Sequence, residues 1–185
     1  MAYQIEVVVG SLRRDSFNKQ LAHALTKLAS ADLNFSFVDI GVLPLYSQDY
    51  DPDFPEVARK FKQQIESADG LLFVTPEYNR SMPGVLKNAL DWGSRPWGAN
   101  SWKDKPAGVC GISLGATGTA LAQQHLRNVL AYLDVPTLGQ PEIFLKYSDG
   151  FFDEQGAIAS EDTRQFLQGF IGRYEAWVER HVAKK

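Results

Sequence analysis

Three runs in this 185-residue chain are almost free of polar side chains: IEVVVG (5–10), GLLFVT (70–75) and PAGVCGIS (106–113). A strand that is apolar at both parities is covered on both faces, the condition of parallel strands packed between helices. Between and after these runs the apolar period changes. Phe17, Leu21, Ala24, Leu25 and Leu28 recur at three- and four-residue steps, as do Phe54, Ala58, Phe61, Ile65 and Ala68. Leu86, Ala89 and Leu90 follow the helix-opening pair Pro83-Gly84, and Leu126, Val129, Leu130 and Leu133 mark a fourth helix. Phe166, Leu167, Phe170, Ile171, Tyr174, Trp177 and Val178 predict a long, amphipathic fifth. With strand one over 4–10, LNFSFVDI (33–40) and PEIFL (141–145) complete a set of five strands.

Five βα units predict an α/β fold, an open parallel sheet with helices on both faces. At 44% hydrophobic, the 185 residues support one good core, so a single domain over 1–185 is expected. The stretch 44–55, with Pro44, Pro52 and Pro55, reads as a loop inside that domain. Such sheets bind ligands beyond the carboxyl ends of their strands, where the strand order reverses. In the five-stranded order 2-1-3-4-5 the reversal lies between strands one and three. The loops after strands one, three and four therefore belong together.

The first of these loops is GSLRRDSFN (10–18). Gly10 lets the chain turn and a ligand approach the backbone. Ser16 stands at the expected N-cap of the first helix, whose free N–H groups and partial positive charge suit an anion. Ser11, Ser16 and Asn18 add hydroxyl and amide donors, and Arg13 a permanent charge that pairs with phosphate. A plain helix cap with solvated arginines accounts for the same residues equally well. The pattern is neither G-x-G-x-x-G nor G-x-x-x-x-G-K-[ST], which argues against a dinucleotide or ATP turn. The second loop, TPEYNRSMPG (75–84), is stiffened by two prolines and carries an aromatic beside amide edges, as a flat heterocycle requires. A proline-stiffened surface turn is the alternative. The third, SLGATG (113–118), is small and lets backbone N–H groups approach a ring edge, or is an ordinary βα turn.

Other features exclude more than they suggest. The net charge of −3 gives no general attraction for nucleic acid or acidic membranes. The longest apolar runs are far short of the roughly 20 residues of a membrane span. MAYQIEVVVG enters a strand with no basic leader, and one cysteine, Cys110, excludes an internal disulfide; both fit the cytoplasm. Within its apolar strand Cys110 reads as a small buried hydrophobe. His23, His125 and His181 lack ligand spacing, so no metal is expected.

Taken together, GSLRRDSFN, VTPEYNRSMPGVLKNALDW and SLGATG resemble the NAD(P)H-dependent FMN reductases of flavodoxin-like fold, a group that includes quinone, azo-dye and chromate reductases. The resemblance runs from the first strand to the last helix. It departs from the family at Thr119, where a second glycine is common. It implies that the FMN phosphate lies on Ser11, Arg13, Ser16 and Asn18 at the start of the helix that Phe17 opens. The isoalloxazine ring would lie along Pro76, Glu77, Tyr78 and Asn79, with Ser113 and Gly115 on the other side. FMN would be bound non-covalently, NADH or NADPH would be the co-substrate, and quinones the acceptors, with chromate and azo compounds alongside. Flavin N5 carries the chemistry in such enzymes, so no catalytic side chain is nominated. Glu77 as an acid competes with Glu77 as a brace for its own loop. A one-electron carrier of the same fold is the rival class, and the modest charge of −3 does not suggest it.

DWGSRPWGANSW brings Trp92, Trp97 and Trp102 close together. Trp92, at a helix end, is expected in the core. Trp97 and Trp102 are expected to stay exposed beside the flavin edge and to pack against a neighbouring subunit, giving a homodimer or homotetramer.

Overall fold

Alternation along each apolar run divides its side chains between two faces. In β1 (Tyr3–Val9), Ile5, Val7 and Val9 point to one side and Val8 to the other. In β3 (Gly70–Val74), Leu72 and Val74 oppose Leu71 and Phe73; in β4 (Ala107–Ser113), Cys110 and Ile112 oppose Val109. Each face needs its own helical cover, and two cores result. One is closed by α1 (Phe17–Thr26) and α5 (Glu161–Val182), through Leu21, Leu25, Leu167, Phe170 and Tyr174. The other is closed by α2 (Glu56–Ser67), α3 (Gly84–Ser94) and α4 (Ala120–Tyr132), through Phe61, Ile65, Leu86, Leu90, Leu126 and Leu130. The structure, a computed structural model, describes residues 2–182.

Together with β2 (Leu33–Phe37) and β5 (Ile143–Lys146), the strands form one sheet of order β2-β1-β3-β4-β5. All four pairings are parallel, with Val8 opposite Phe73, Phe73 opposite Val109 and Cys110 opposite Ile143. Chain order reverses between β1 and β3, as expected of a flavodoxin-like sheet. There Gly10 N–H donates to Val74 O at 2.9 Å. A Cβ on Gly10 would lie 2.7 Å from Thr75 Oγ1, so the residue just past β3 leaves room only for glycine.

Several boundaries differ from expectation. β2 ends at Phe37 and not at residue 40, because Asp39 Oδ1 accepts the Gly41 N–H (2.8 Å) and turns the chain. β5 begins at Ile143, beyond Pro141, which has no N–H to offer the ladder. α2 begins after Pro55, leaving Phe54 to pack edge-on against Trp92. Phe166 stands half-exposed on α5 instead of joining the core.

The tryptophan stretch corrects the sequence reading twice. Trp102 is fully buried: a Cβ on Gly93 would lie 2.3 Å from its indole nitrogen, so the bare glycine makes the space. Its Nε1–H donates to Leu90 O at 3.0 Å. The loop also lies away from the expected ring site. It leads from α3 into the start of β4, and a helix-to-strand connection sits at the amino ends of the strands, opposite the crevice. Trp97 remains 81% exposed there. The loop is held by Lys62, whose ammonium donates to Gly93 O (3.1 Å), Ala99 O (2.7 Å) and Ser101 Oγ (2.6 Å). Trp92 is buried as expected, its Nε1–H on Pro44 O.

One acidic side chain lies inside the sheet. Glu6 of β1 is 5% exposed and accepts from Ser36 Oγ and from Gln64 Nε2 (2.8 Å). Burial pushes its carboxyl above the usual glutamate range, against the opposing pull of those two donors.

Candidate functional site

The loops after β1, β3 and β4 meet in a cleft of about 780 Å³ at the carboxyl ends of the strands. That lies within the roughly 300–1,000 Å³ of small-molecule and cofactor sites. Ser11, Arg13, Ser16, Phe17 and Asn18 form one end, Pro76, Glu77, Tyr78 and Asn79 one wall, and Ser113 and Gly115 the other. All eleven residues singled out in the sequence are brought together. Arg80, Ile112, Leu114 and Thr117 complete the lining and were not singled out.

The α1 end gathers hydrogen-bond donors and a positive charge. Ser16 is the N-cap, extended at φ −69 and ψ 125, and its Oγ accepts from Lys19 N at 3.4 Å. The first-turn N–H groups of Phe17 and Asn18 have no carbonyl within the helix to bond. The hydroxyls of Ser11 and Ser16 stand beside them in the cleft lining. The Arg13 guanidinium lies 4.7 Å from the centre of the Phe17 ring, and its Nε donates to Asp15 O at 3.0 Å. Phe17 in turn stacks on Tyr147 with ring centres 3.7 Å apart.

The side chain of Asn18 has a different task from the one expected of it. Its Nδ2 donates to Ile112 O (2.9 Å) and its Oδ1 accepts from Ile112 N (3.0 Å). That buried pair anchors the start of α1 to the end of β4. What Asn18 offers the cleft from this position is its backbone N–H.

The β3 loop is a two-residue hairpin. Tyr78 and Ser81 exchange both backbone hydrogen bonds, at 2.9 and 3.0 Å. This forces Asn79 and Arg80 into left-handed conformations, φ 50 and 66. Asn tolerates that region and Arg does not favour it. The exposed Tyr78 ring and the exposed Leu114 on the opposite wall give the cleft two apolar lips.

Glu77 braces more than its own loop. Its side chain is 8% exposed, and its carboxylate accepts from Leu121 N (3.0 Å) and Ala122 N (3.2 Å), the first turn of α4. Thr117 Oγ1 adds a third donor at 3.3 Å. The residue in the α4 cap position, Thr119, supplies no side-chain cap and sits at φ 74, where a glycine would be unstrained. Its Oγ1 accepts from Gln123 Nε2 at 2.9 Å. Glu77 is thus the cap of α4, donated from another loop, and it ties the two walls of the cleft together.

Cys110 is fully buried, and burial pushes its thiol far above the ordinary range, which fits a packing role. Among the described residues no helix is long and apolar enough to cross a membrane.

Known proteins resemble this chain in sequence and in fold. A family profile described as NADPH-dependent FMN reductase matches residues 3–149. A 2-hydroxy-1,4-benzoquinone reductase of a Burkholderia species is 67% identical over 178 residues, covering 96% of this chain and 97% of that protein. A quinone reductase of Pseudomonas putida is 44% identical over 182 residues, covering 98% and 97%. Among solved structures, the flavoenzyme FerB of Paracoccus denitrificans, an NAD(P)H:(acceptor) oxidoreductase, superposes with a TM-score of 0.94 at 44% identity, covering 97% of this chain and 99% of that one.

Proposed function

The chain belongs to the NADPH-dependent FMN reductase family, and from that premise we propose that it is a quinone reductase whose FMN sits in the three-loop cleft. The observation that carries this reading is the division of the cleft. Anion donors cluster at the α1 end, and flat, rigid walls stand at the other. Phosphate is held by the hydroxyls of Ser11 and Ser16, the N–H groups of Phe17 and Asn18, and the Arg13 guanidinium. Backbone N–H groups of the 76–79 and 113–118 loops offer donors to the ring's edge. The chemistry that FMN supplies there is two-electron transfer from a reduced nicotinamide to an acceptor. The step balances as NAD(P)H, one proton and a quinone giving NAD(P)+ and the hydroquinone.

The chain's own residues bind, orient and shield. Glu77 fixes the spacing of the two walls, and Tyr78 and Leu114 give planar substrates an apolar, partly dry seat. The relative at 67% identity points to hydroxylated benzoquinones as the acceptor class. Chromate and azo compounds are further acceptors that the same assay tests. The 185 residues act as one domain in the cytoplasm, as a homodimer or homotetramer joined through exposed Trp97 and Tyr132. Purified protein given NADH or NADPH with a quinone should oxidise the nicotinamide, with parallel lines in double-reciprocal plots as the two substrates take turns. Protein loaded with FMN that leaves the nicotinamide reduced contradicts the proposal.

A further inference from the structure

We propose that Arg80 selects acceptors carrying a negative charge in the plane of the ring, namely quinones with an ionised hydroxyl. This rests on the quinone-reductase reading above and adds the residue that reads the substrate's charge.

Three charged side chains line the cleft: Arg13, Glu77 and Arg80. Two are committed. Arg13 lies over Phe17 and donates to Asp15 O at the anion end. Glu77 accepts from the first turn of α4, so its charge is already met by helix N–H groups. Arg80 is different. Its side chain is 68% exposed, and its closest charged partner is Glu77, at 3.7 Å, longer than a hydrogen bond. A guanidinium fork with five donors is thus part of the cleft lining.

The turn itself gives no reason for an arginine at this point. At φ 66 glycine or asparagine is unstrained, whereas arginine is not. The paired hairpin bonds of Tyr78 and Ser81 nevertheless hold its backbone in that conformation. The result is a cation rooted in a backbone turn held by two hydrogen bonds, with Tyr78 on the same loop and Leu114 on the loop across the cleft.

The ligand that fits this combination is planar, apolar on its faces and anionic at its edge. A quinone bearing a hydroxyl group conjugated to its carbonyl is a vinylogous carboxylic acid and is ionised at neutral pH. Its edge then presents two adjacent oxygens, which match the planar fork of an arginine. The 2′-phosphate of NADPH also carries negative charge, but it lies at the opposite end of the dinucleotide from the nicotinamide that must approach the ring.

The test compares 2-hydroxy-1,4-benzoquinone with 2-methoxy-1,4-benzoquinone, which keeps the ring and the oxygen substituent, adds one methyl group and cannot ionise. Each is titrated into the FMN-loaded protein without a nicotinamide, so that binding is read from the flavin absorbance and no turnover occurs. Wild type should prefer the hydroxyquinone, and added salt should erode the preference. R80Q should lower the ratio of the two affinities about tenfold, the lower end for a charge-assisted bond at an exposed site. R80K should keep much of the preference. A ratio unchanged in R80Q, or an equal weakening of both quinones, overturns the proposal. So does a loss confined to NADPH relative to NADH in steady-state kinetics, which would assign Arg80 to the 2′-phosphate. Wild type that turns over neither quinone with NAD(P)H overturns the quinone-reductase reading itself, and the role of Arg80 with it.

Discussion

Replacing Glu77 by alanine removes the cap of a helix that lies in another part of the sequence. Two N–H groups of α4, those of Leu121 and Ala122, lose their acceptor, and Thr119 has no side chain placed to replace it. Loss of a capping side chain costs about 1 kcal/mol. Loss of a negative charge at a helix N-terminus costs about 0.3–1 kcal/mol, and up to ~2 where the charge is partly buried. With Glu77 only 8% exposed, about 2 kcal/mol in total is expected. For a chain of this size each kcal/mol shifts the melting temperature by about 2–4 °C, so E77A should lower it by about 4–8 °C. E77Q keeps an acceptor oxygen and loses the charge, so roughly half that loss is expected. Circular dichroism melts of the flavin-free protein give the comparison free of ligand effects. The same variants should weaken FMN binding, because the tie between the two cleft walls is cut. An E77A melting temperature indistinguishable from wild type refutes the capping role.

Glu6 makes a pH-dependent prediction. Its carboxyl is raised in the folded state by burial, so the folded protein holds that proton more tightly than the unfolded chain. Stability from this group is therefore greatest in acid and falls as pH climbs from the ordinary glutamate range through the raised value. E6Q removes that fall, so its advantage over wild type should grow across the same window and then level off in denaturant titrations; a pH-independent difference contradicts this. Trp97→Ser should shift light-scattering masses toward the monomer on dilution, since the ring is 81% exposed in the single chain and free to pack against a second copy. A mass unchanged at every concentration would place the interface elsewhere.

How much of this was legible in the sequence follows from the range of each interaction. The strands and their carboxyl-end loops were readable because burial on both faces leaves a local signature in runs such as GLLFVT. The cleft residues followed, since parallel topology dictates which loops converge. The Trp97 loop obeys that same rule at the far end of the sheet, where a connection from α3 to β4 belongs, and not beside the cleft. Trp102 could not be read as buried, because the space it fills is made by Gly93, and the absence of a side chain leaves no pattern. Glu77 capping α4 and Asn18 clasping Ile112 join residues 44 and 94 positions apart. Neither leaves a periodic trace. Arg80 is visible within TPEYNRSMPG, but the engagement of its neighbour Glu77 by the first turn of α4 is a tertiary contact with no local signal.

Whether FMN enters the three-loop cleft with its phosphate at the start of α1 is decided by one titration. Flavin-free wild type and R13A are each titrated with FMN and with riboflavin, which lacks the phosphate. Wild type should take up FMN stoichiometrically and bind it much more tightly than riboflavin. A charge-assisted hydrogen bond contributes roughly 1.5–3 kcal/mol, so R13A should weaken FMN binding by about ten- to a hundred-fold and leave riboflavin far less affected. Wild type that ignores FMN, or an R13A variant that loses both ligands equally, contradicts the account.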